Sequence, residues 1–312
     1  MRKTNKPRIF FLVGPTASGK TVVALSLAKK IGAEIVSCDS MQIYKGFTIV
    51  SSAPTLRQRK KIPYHLINIV APTKEYNASQ YRKDALRKIK VILKKGKTPL
   101  VVGGTGLYAS ILIDGIFRTS PPKKEIRESL YRALNRHGNL VLYARLKNVD
   151  PEAAVKIHPN DTKRIIRALE VFLATGTPIS QLQKERKGIA DTFEIKIFGL
   201  NMPRSMLYRR VDERIDTMFQ EGLLAEIKKL LRIRLSKTAS YAIGIKEIAG
   251  YLKGSYSLQD AKAIMKKNTR NYAKRQLTWF RKDKRIQWIT VRATDTPSQI
   301  AAATAKRVSL PR

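Results

Sequence analysis

The chain has 312 residues, enough to bury a real core in one large domain or two modest ones. A single cysteine (Cys38) and three histidines exclude a disulfide framework and a cysteine-rich zinc site, and no apolar run reaches the length of a membrane span. Lys and Arg total 62 against 23 Asp and Glu, a net charge of +39, and an excess of that size attracts polyanions, nucleic acid above all. The first apolar stretch runs into a glycine-rich loop and not into a small-residue cleavage site, so a cytoplasmic protein is expected.

The run Ile9-Phe10-Phe11-Leu12-Val13 has the texture of a buried strand, and Gly14-Pro15-Thr16-Ala17-Ser18-Gly19-Lys20-Thr21 follows it, opening a helical pattern to Ile31. This is the G-x-x-x-x-G-K-[ST] phosphate loop, with a strand before it and a helix after it. Backbone N–H groups of such a loop and helix start converge on one concavity that favours anions. Lys20 adds a cation, and the Thr21 hydroxyl is placed to bind Mg²⁺ beside the phosphates. A short strand over residues 33–37 then ends at Cys38-Asp39-Ser40-Met41-Gln42-Ile43-Tyr44. A carboxylate there, beside a phosphate loop, has three readings: a water-mediated hold on Mg²⁺, a general base for a neutral amine or hydroxyl nucleophile, or a cap for its own turn.

A loop-rich region to Pro63 leads into an apolar run over residues 65–70. Asn77 with Gln80 three residues on has the form of a capping box and opens a helix to about residue 95, with Tyr81, Ala85, Ile89 and Ile92 on one face and Gly96 at its end. The strand Pro99-Leu100-Val101-Val102 enters a second glycine-rich turn, Gly103-Gly104-Thr105-Gly106-Leu107-Tyr108. Its glycines either admit a ligand to the backbone, with Thr105 donating to a phosphoryl oxygen, or simply make a tight turn capped by Thr105. Strand–helix alternation at this spacing predicts an α/β fold with a mostly parallel sheet, in which the phosphate loop, Asp39 and Thr105 converge at the carboxyl ends of strands.

Past residue 120 the pattern turns helical, with helices over 125–137 and 161–174, before residues 194–200 return to the sheet. Three regions are expected: 1–119 as the first part of an α/β P-loop core, 120–190 as a mainly helical insertion, and 191–312 as the remainder of the core with a basic helical C-terminal region. The last region reads as helices over 204–219, 222–231, 244–252 and 258–281, a short strand over 286–289 and a terminal helix. Arg204, Arg209, Arg210 and Arg214 share the first of these, and Arg210 and Arg214 lie one turn apart, as an anion clamp or as a solvated basic face. Along 262–285, Lys266, Lys267, Arg270, Lys274, Arg275, Arg281 and Lys282 alternate with Tyr272, Trp279 and Phe280. Such a segment tracks phosphates and stacks bases, unless its aromatics are core and its charges solvated. Lys163, Arg164 and Arg167 form a second basic surface with Ile165, Ile166, Leu169 and Val171 turned inward. No strand of four apolar residues ends in a metal-holding Asp, which argues against a motor ATPase or a GTPase-type switch.

Taken together and in order, these motifs resemble the tRNA dimethylallyltransferase (isopentenyltransferase) family. The resemblance is carried by the phosphate loop at 14–21, Asp39-Ser40-Met41-Gln42-Ile43-Tyr44 and Gly103-Gly104-Thr105-Gly106-Leu107-Tyr108. It continues through Asp150-Pro151, Ile157-His158-Pro159-Asn160-Asp161, Arg164-Ile165-Ile166-Arg167-Ala168-Leu169-Glu170-Val171 and Lys274-Arg275-Gln276-Leu277-Thr278-Trp279. The resemblance implies that residues Gly14, Pro15, Thr16, Ala17, Ser18, Gly19, Lys20 and Thr21 hold the diphosphate of dimethylallyl diphosphate with Mg²⁺, in place of ATP. It implies that Asp39 takes the proton from the adenine amine of the base 3′ of the anticodon as that amine attacks the allylic carbon, giving N6-dimethylallyladenosine. Thr105 and Arg214 would stabilise the departing diphosphate.

The family's tRNA-touching segments match Asp39-Ser40-Met41-Gln42, Lys163-Arg164-Ile165-Ile166-Arg167, Tyr241-Ala242-Ile243-Gly244-Ile245-Lys246 and Lys274-Arg275-Gln276-Leu277-Thr278-Trp279-Phe280-Arg281. The target base has to leave its stack to reach the pocket. Ile245 stands where family members usually carry Tyr, and Ala242 offers no side-chain charge. The cysteines of the C-terminal zinc finger found in some eukaryotic relatives are missing, as in a bacterial-type enzyme, and a monomer suffices to hold one tRNA. The alternatives are a small-molecule kinase using ATP on the same loop, an adenylate isopentenyltransferase acting on free AMP or ADP, and a non-catalytic P-loop RNA-binding protein. The basic segments around 163–167 and 274–281 favour a tRNA substrate over all three.

Overall fold

The computed structural model describes residues 6–117 and 124–309. Six strands form one parallel sheet: β1 (Arg8–Val13), β2 (Ala33–Ser37), β3 (Tyr64–His65), β4 (Thr98–Gly103), β5 (Glu194–Asn201) and β6 (Ile286–Thr290). Their order is β3-β2-β4-β1-β5-β6. The near-continuous apolar runs of β1, β4 and β5 are what a parallel sheet covered on both faces requires.

One face packs on α1 (Lys20–Ile31). There Phe10, Leu12, Leu27, Ile35, Leu100 and Phe198 share a core with Ile300 and Ala301, which lie in the last helix of the chain. The other face meets α3 (Ala78–Lys94), whose Tyr81 stacks on Tyr108 with ring centroids 4.2 Å apart. The Asn77 and Gln80 capping box that opens α3 is formed, and the short α2 (Leu56–Lys61), unexpected in its loop-rich surroundings, carries another built from Thr55 and Gln58.

The chain divides into two compact units, one made of Met1–Ile113 with Thr192–Arg312 and the other of Asp114–Asp191. The second unit contains the expected helical insertion at 120–190 and begins slightly earlier, at the end of α4 (Gly106–Asp114). The boundary expected at 119–120 lies outside the described residues. The unit consists of α5 (Lys124–Val149), α6 (Pro151–Lys156), α7 (Thr162–Thr175) and α8 (Ile179–Lys184). α5 is two helices meeting at Gly138, whose φ of 78° and ψ of 175° break the helical path. Leu142, Leu146, Ile165, Ile166, Leu169 and Val171 form the core of this unit. Asp150 caps α6 through the Ala153 N–H (2.9 Å) and also accepts from the Ser180 N–H (2.9 Å). Glu170 is fully buried and offset by Arg127 and Arg167, each at 2.9 Å.

In the first unit, β5 is followed by α9 (Arg204–Gln220), α10 (Leu223–Leu230), α11 (Ile245–Leu252) and α12 (Leu258–Arg281), and β6 by α13 (Pro297–Ser309). The apolar run at 65–70 does not extend the sheet. After two residues of β3 the chain turns through left-handed Leu66 (φ 63°) and Asn68 (φ 55°), then touches Tyr44 through Val70.

Gly103 closes β4 against the end of β2. The Cys38 N–H donates to Val102 O (2.7 Å) and the Thr105 N–H to Cys38 O (3.2 Å), and a Cβ at Gly103 would fall 2.0 Å from that Cys38 oxygen. Backbone atoms on both sides have nowhere to move. The Gly103→Ala variant should therefore lose about 1–3 kcal/mol of stability, read as a lower urea midpoint at unchanged m-value.

Candidate active site

The phosphate loop leaves β1 in the centre of the sheet and enters α1 through Gly19, which caps the helix in the left-handed region (φ 84°), while Ala17 also adopts a left-handed φ of 61°. The loop forms one wall of a cavity of about 490 Å³ at the carboxyl ends of β1, β2 and β4. Thr16, Lys20 and Thr21 face this cavity from the loop, Ser37, Asp39 and Gln42 from the end of β2, and Gly103 and Gly104 from the end of β4. Arg214, Ile215 and Met218 reach it from α9, and Tyr241, Ala242 and Ile243 from the turn before α11. Tyr272, Arg275 and Gln276 reach it from α12.

Two cations meet there. The Lys20 ammonium donates to Pro15 O (2.5 Å), and Arg214 Nη1 donates to Thr16 Oγ1 (3.0 Å). Burial pulls the Lys20 ammonium down to about 7; the Arg214 charge pushes the same way and Asp39 opposes both. Burial lowers Arg214 as well, again against Asp39. Arg210, one turn before Arg214, brings Nη1 to 3.9 Å from where a Cβ on Gly19 would stand. The buried Ser18 Oγ has no hydrogen-bond partner among the described residues. A partly desolvated cation pair beside loop amides is a site waiting for a multiply charged anion.

Asp39 caps its own turn, one of the three readings its position allows. Its Oδ1 accepts from the N–H groups of Met41 (2.8 Å) and Gln42 (3.3 Å), capping its own turn, while its charge faces Lys20 and Arg214. Thr105 lies next to this turn and not on the cavity wall: its Oγ1 accepts from the Ser40 N–H (3.1 Å), and its hydroxyl also bonds the Tyr272 phenol, which burial pushes up.

Gly103 and Gly104 of the second turn line the cavity, and Gly104 and Gly106 also admit a neighbouring helix. A Cβ at Gly104 would sit 2.3 Å from Gln276 Nε2, and one at Gly106 would sit 2.2 Å from the Trp279 ring. These glycines make room for α12, which packs down on the turn. Gln276 accepts from the Thr16 N–H (2.8 Å) and donates to Gly104 O (2.8 Å), and Trp279 Nε1 reaches Ser110 Oγ at 3.3 Å.

The stretches matched to tRNA contacts split by helix face. Ile165 and Ile166 are buried in the core of their unit, and Ala242, Gly244, Ile245, Gln276 and Phe280 are buried in theirs, so none of them lies on an outer face, while Ala242 and Gln276 line the cavity. Leu277 packs partly against the core and Thr278 Oγ1 bonds back to Lys274 O (3.0 Å). Lys163, Arg164, Lys246, Lys274, Arg275 and Arg281 remain on exposed faces, and Tyr241 is half exposed at the cavity rim with the Lys246 ammonium 5.3 Å from its ring centre. Arg167 is held by Glu170. Lys266 and Arg270 turn to α9, pairing with Asp216 (2.8 Å) and Asp212 (2.7 Å).

Several supporting residues carried no sequence signal. Glu226 accepts from the N–H groups of Ile49 and Val50, each at 2.8 Å, and Glu247 from the Gly244 N–H (2.7 Å) and Asn268 Nδ2 (2.7 Å). Tyr64 brings a buried phenol oxygen to the cavity wall with no partner among the described residues. As for metals, the one carboxylate among the residues lining the cavity is Asp39, with the Thr21 hydroxyl beside the loop, and no cluster of three or more His, Cys, Asp or Glu occurs among the described residues. That donor set fits Mg²⁺, which keeps waters and takes phosphate oxygens as ligands, and not a metal caged by protein alone.

A model of the IPP transferase family matches residues 42–283, and an isopentenyl transferase model matches residues 7–67. The chain belongs to the IPP transferase family. Within it, the chain is 43% identical over 291 residues to a tRNA dimethylallyltransferase of Geobacter metallireducens, covering 93% of this chain and 94% of the relative. It is 45% identical to one of Thermotoga maritima, covering 92% and 94%. Its fold is similar to the solved tRNA isopentenylpyrophosphate transferase of Bacillus halodurans, at TM-score 0.72, 35% identity and 97% and 96% coverage. It is also similar to a eukaryotic dimethylallyltransferase captured acting on tRNA, at TM-score 0.82, 30% identity and 97% and 78% coverage. The family matches span the phosphate loop, the Asp39 turn, the glycine turn, α9 and α12.

The low Lys20 value has a measurable consequence. With its ammonium titrating at about 7, Lys20 is largely neutral in the free protein at pH 8, and a bound diphosphate raises it back toward the ordinary lysine range. Pyrophosphate binding at about pH 8 should take up close to one proton, and less below about pH 7. Calorimetry in two buffers of different ionisation enthalpy reads this directly.

Proposed function

We propose that the chain transfers a dimethylallyl group from dimethylallyl diphosphate to the exocyclic N6 of the tRNA adenosine immediately 3′ of the anticodon, releasing diphosphate. The observation that carries this reading is the single cavity in which the phosphate loop, Lys20 and Arg214 face Asp39. The tRNA dimethylallyltransferases to which the chain is similar support the same reaction class.

The chemistry follows from the arrangement. The donor diphosphate lies on the loop amides with Lys20 and Arg214 against its charge, so the negative charge that grows as the allylic C–O bond breaks is met by groups already in place. Thr21 would hold Mg²⁺ at this site, and the ion would supply further charge neutralisation. The adenine amine attacks the allylic carbon from the side that Asp39 faces. Oδ1 of Asp39 is engaged by two backbone N–H groups, which leaves Oδ2 to take the amine proton. Thr105 acts by fixing Ser40 and Tyr272 beside the reacting groups.

Lys163 and Arg164 of α7 give the helical unit an exposed basic face of its own. The tRNA lies on the exposed cations of α12, Lys274 and Arg281, and on Tyr241 with Lys246 at the cavity rim. The base flips into the cavity from there. The working unit in this reading is a monomer in the cytoplasm; no described helix is long and apolar enough to cross a membrane.

The test is transfer with Mg²⁺, unmodified tRNA and dimethylallyl diphosphate, read by mass spectrometry of digested nucleosides. Prenylated adenosine is expected with the allylic donor and not with ATP; its absence with the wild type overturns the assignment. The Asp39→Ala variant should lose about 10²–10⁴-fold in turnover while keeping tRNA affinity. An equal loss of tRNA binding would remove Asp39 from the role of base.

A further inference from the structure

Gln276 lies on α12, a helix whose outer face carries Lys274 and Arg281, yet its own side chain is buried. Its amide spans two loops that are remote in sequence. Oε1 accepts from the Thr16 N–H and Nε2 donates to Gly104 O, both at 2.8 Å. Thr16 in turn accepts from Arg214 Nη1 through its hydroxyl (3.0 Å). The phosphate loop and the glycine turn after β4 thus meet through Gln276, and the arginine of α9 reaches the same loop through Thr16, the residue Gln276 holds.

We propose that Gln276 is a positioning residue for the diphosphate cradle. By tying down the Thr16 backbone it sets both the shape of the phosphate loop and the place from which Arg214 reaches the anion. Only an amide does this. The Thr16 N–H requires an acceptor and Gly104 O requires a donor, side by side on one planar group. An apolar replacement leaves both backbone groups buried without partners, and a carboxylate satisfies only the first. Neither bond goes to the outward-facing cations of α12, so loss of Gln276 weakens the donor site selectively. The inference rests on the reading of the cavity as a diphosphate site.

The test uses inorganic pyrophosphate with Mg²⁺ as the donor-site probe, measured by calorimetry, alongside tRNA binding by filter retention on the same preparations. Gln276→Met should weaken pyrophosphate about tenfold or more and leave tRNA affinity within about twofold. Gln276→Glu should show a comparable defect at about pH 8 that recovers relative to wild type toward about pH 6, because the protonated acid again offers one acceptor and one donor. Unchanged pyrophosphate affinity in Gln276→Met, or tRNA affinity falling in step with it, overturns the proposal. Should Gln276→Met not fold, the pH recovery of Gln276→Glu decides: recovery upholds the role and its absence overturns it. A wild type that binds no pyrophosphate overturns the diphosphate reading itself, and this proposal with it.

Discussion

Two cations held in one partly desolvated cavity set the terms for the rest of this structure. Lys20 and Arg214 repel each other and both lose hydration, with Asp39 the nearby opposing charge. Such a pair persists only if it is tied down, and each member is: Lys20 to Pro15 O and Arg214 to the Thr16 hydroxyl. The sheet order makes the meeting possible. β1 lies between β4 and β5, so the loop after β1 and the helix after β5 emerge side by side at the same edge, although 198 residues separate Thr16 from Arg214. An incoming diphosphate removes the repulsion and replaces the lost hydration, so a site that is unfavourable empty becomes favourable full.

The same economy governs the minority of acidic residues. With 23 carboxylates against 62 basic side chains, those most clearly placed have structural duties. Glu226 and Glu247 hold backbone amides around the cavity, Glu170 holds Arg127 and Arg167, and Asp212 and Asp216 lock α12 to α9 through Arg270, Lys262 and Lys266. What remains outside is basic by subtraction. The net charge of +39 is therefore concentrated on exposed faces such as those of Lys274, Arg281 and Lys163, where it acts on a polyanion at long range. Exposed ion pairs add little stability, and this fold does not depend on them.

Local signals were readable and directions across the molecule were not. The phosphate loop, the strand–helix alternation and the Asn77 box depend on neighbours a few residues apart, and they stand as the residues imply. A contiguous motif says nothing by itself about which way each side chain points. On α12, Ala273, Gln276 and Phe280 fall at i, i+3 and i+7 and are buried, while Lys274, Thr278 and Arg281 between them are exposed. Helical spacing contained that split, and Gln276 was its one anomaly, a polar residue on the buried stripe. The glycine turn left two readings open for the same reason: glycine signals close approach but not the identity of what approaches, and at Gly104 and Gly106 that neighbour is α12. The apolar run at 65–70 carried no direction either: the chain turns there through Leu66 and does not lengthen β3.

The wall that carries Asp39 shows why long-range ties decide the chemistry. Between β2 and α2 the chain has almost no regular structure, and a loop of that length would ordinarily be mobile. It is fixed from two sides. Gln42 accepts from the Ser37 hydroxyl (2.9 Å) at the Asp39 end, while at the far end the amides of Ile49 and Val50 are held by Glu226 of α10, the helix that follows α9 and its Arg214. Asp39 and Arg214 are therefore anchored to one frame. On the proposed reading, a base delivered into the cavity meets both at a fixed separation, and the ordering entropy of assembling them has been met by the fold before the tRNA arrives.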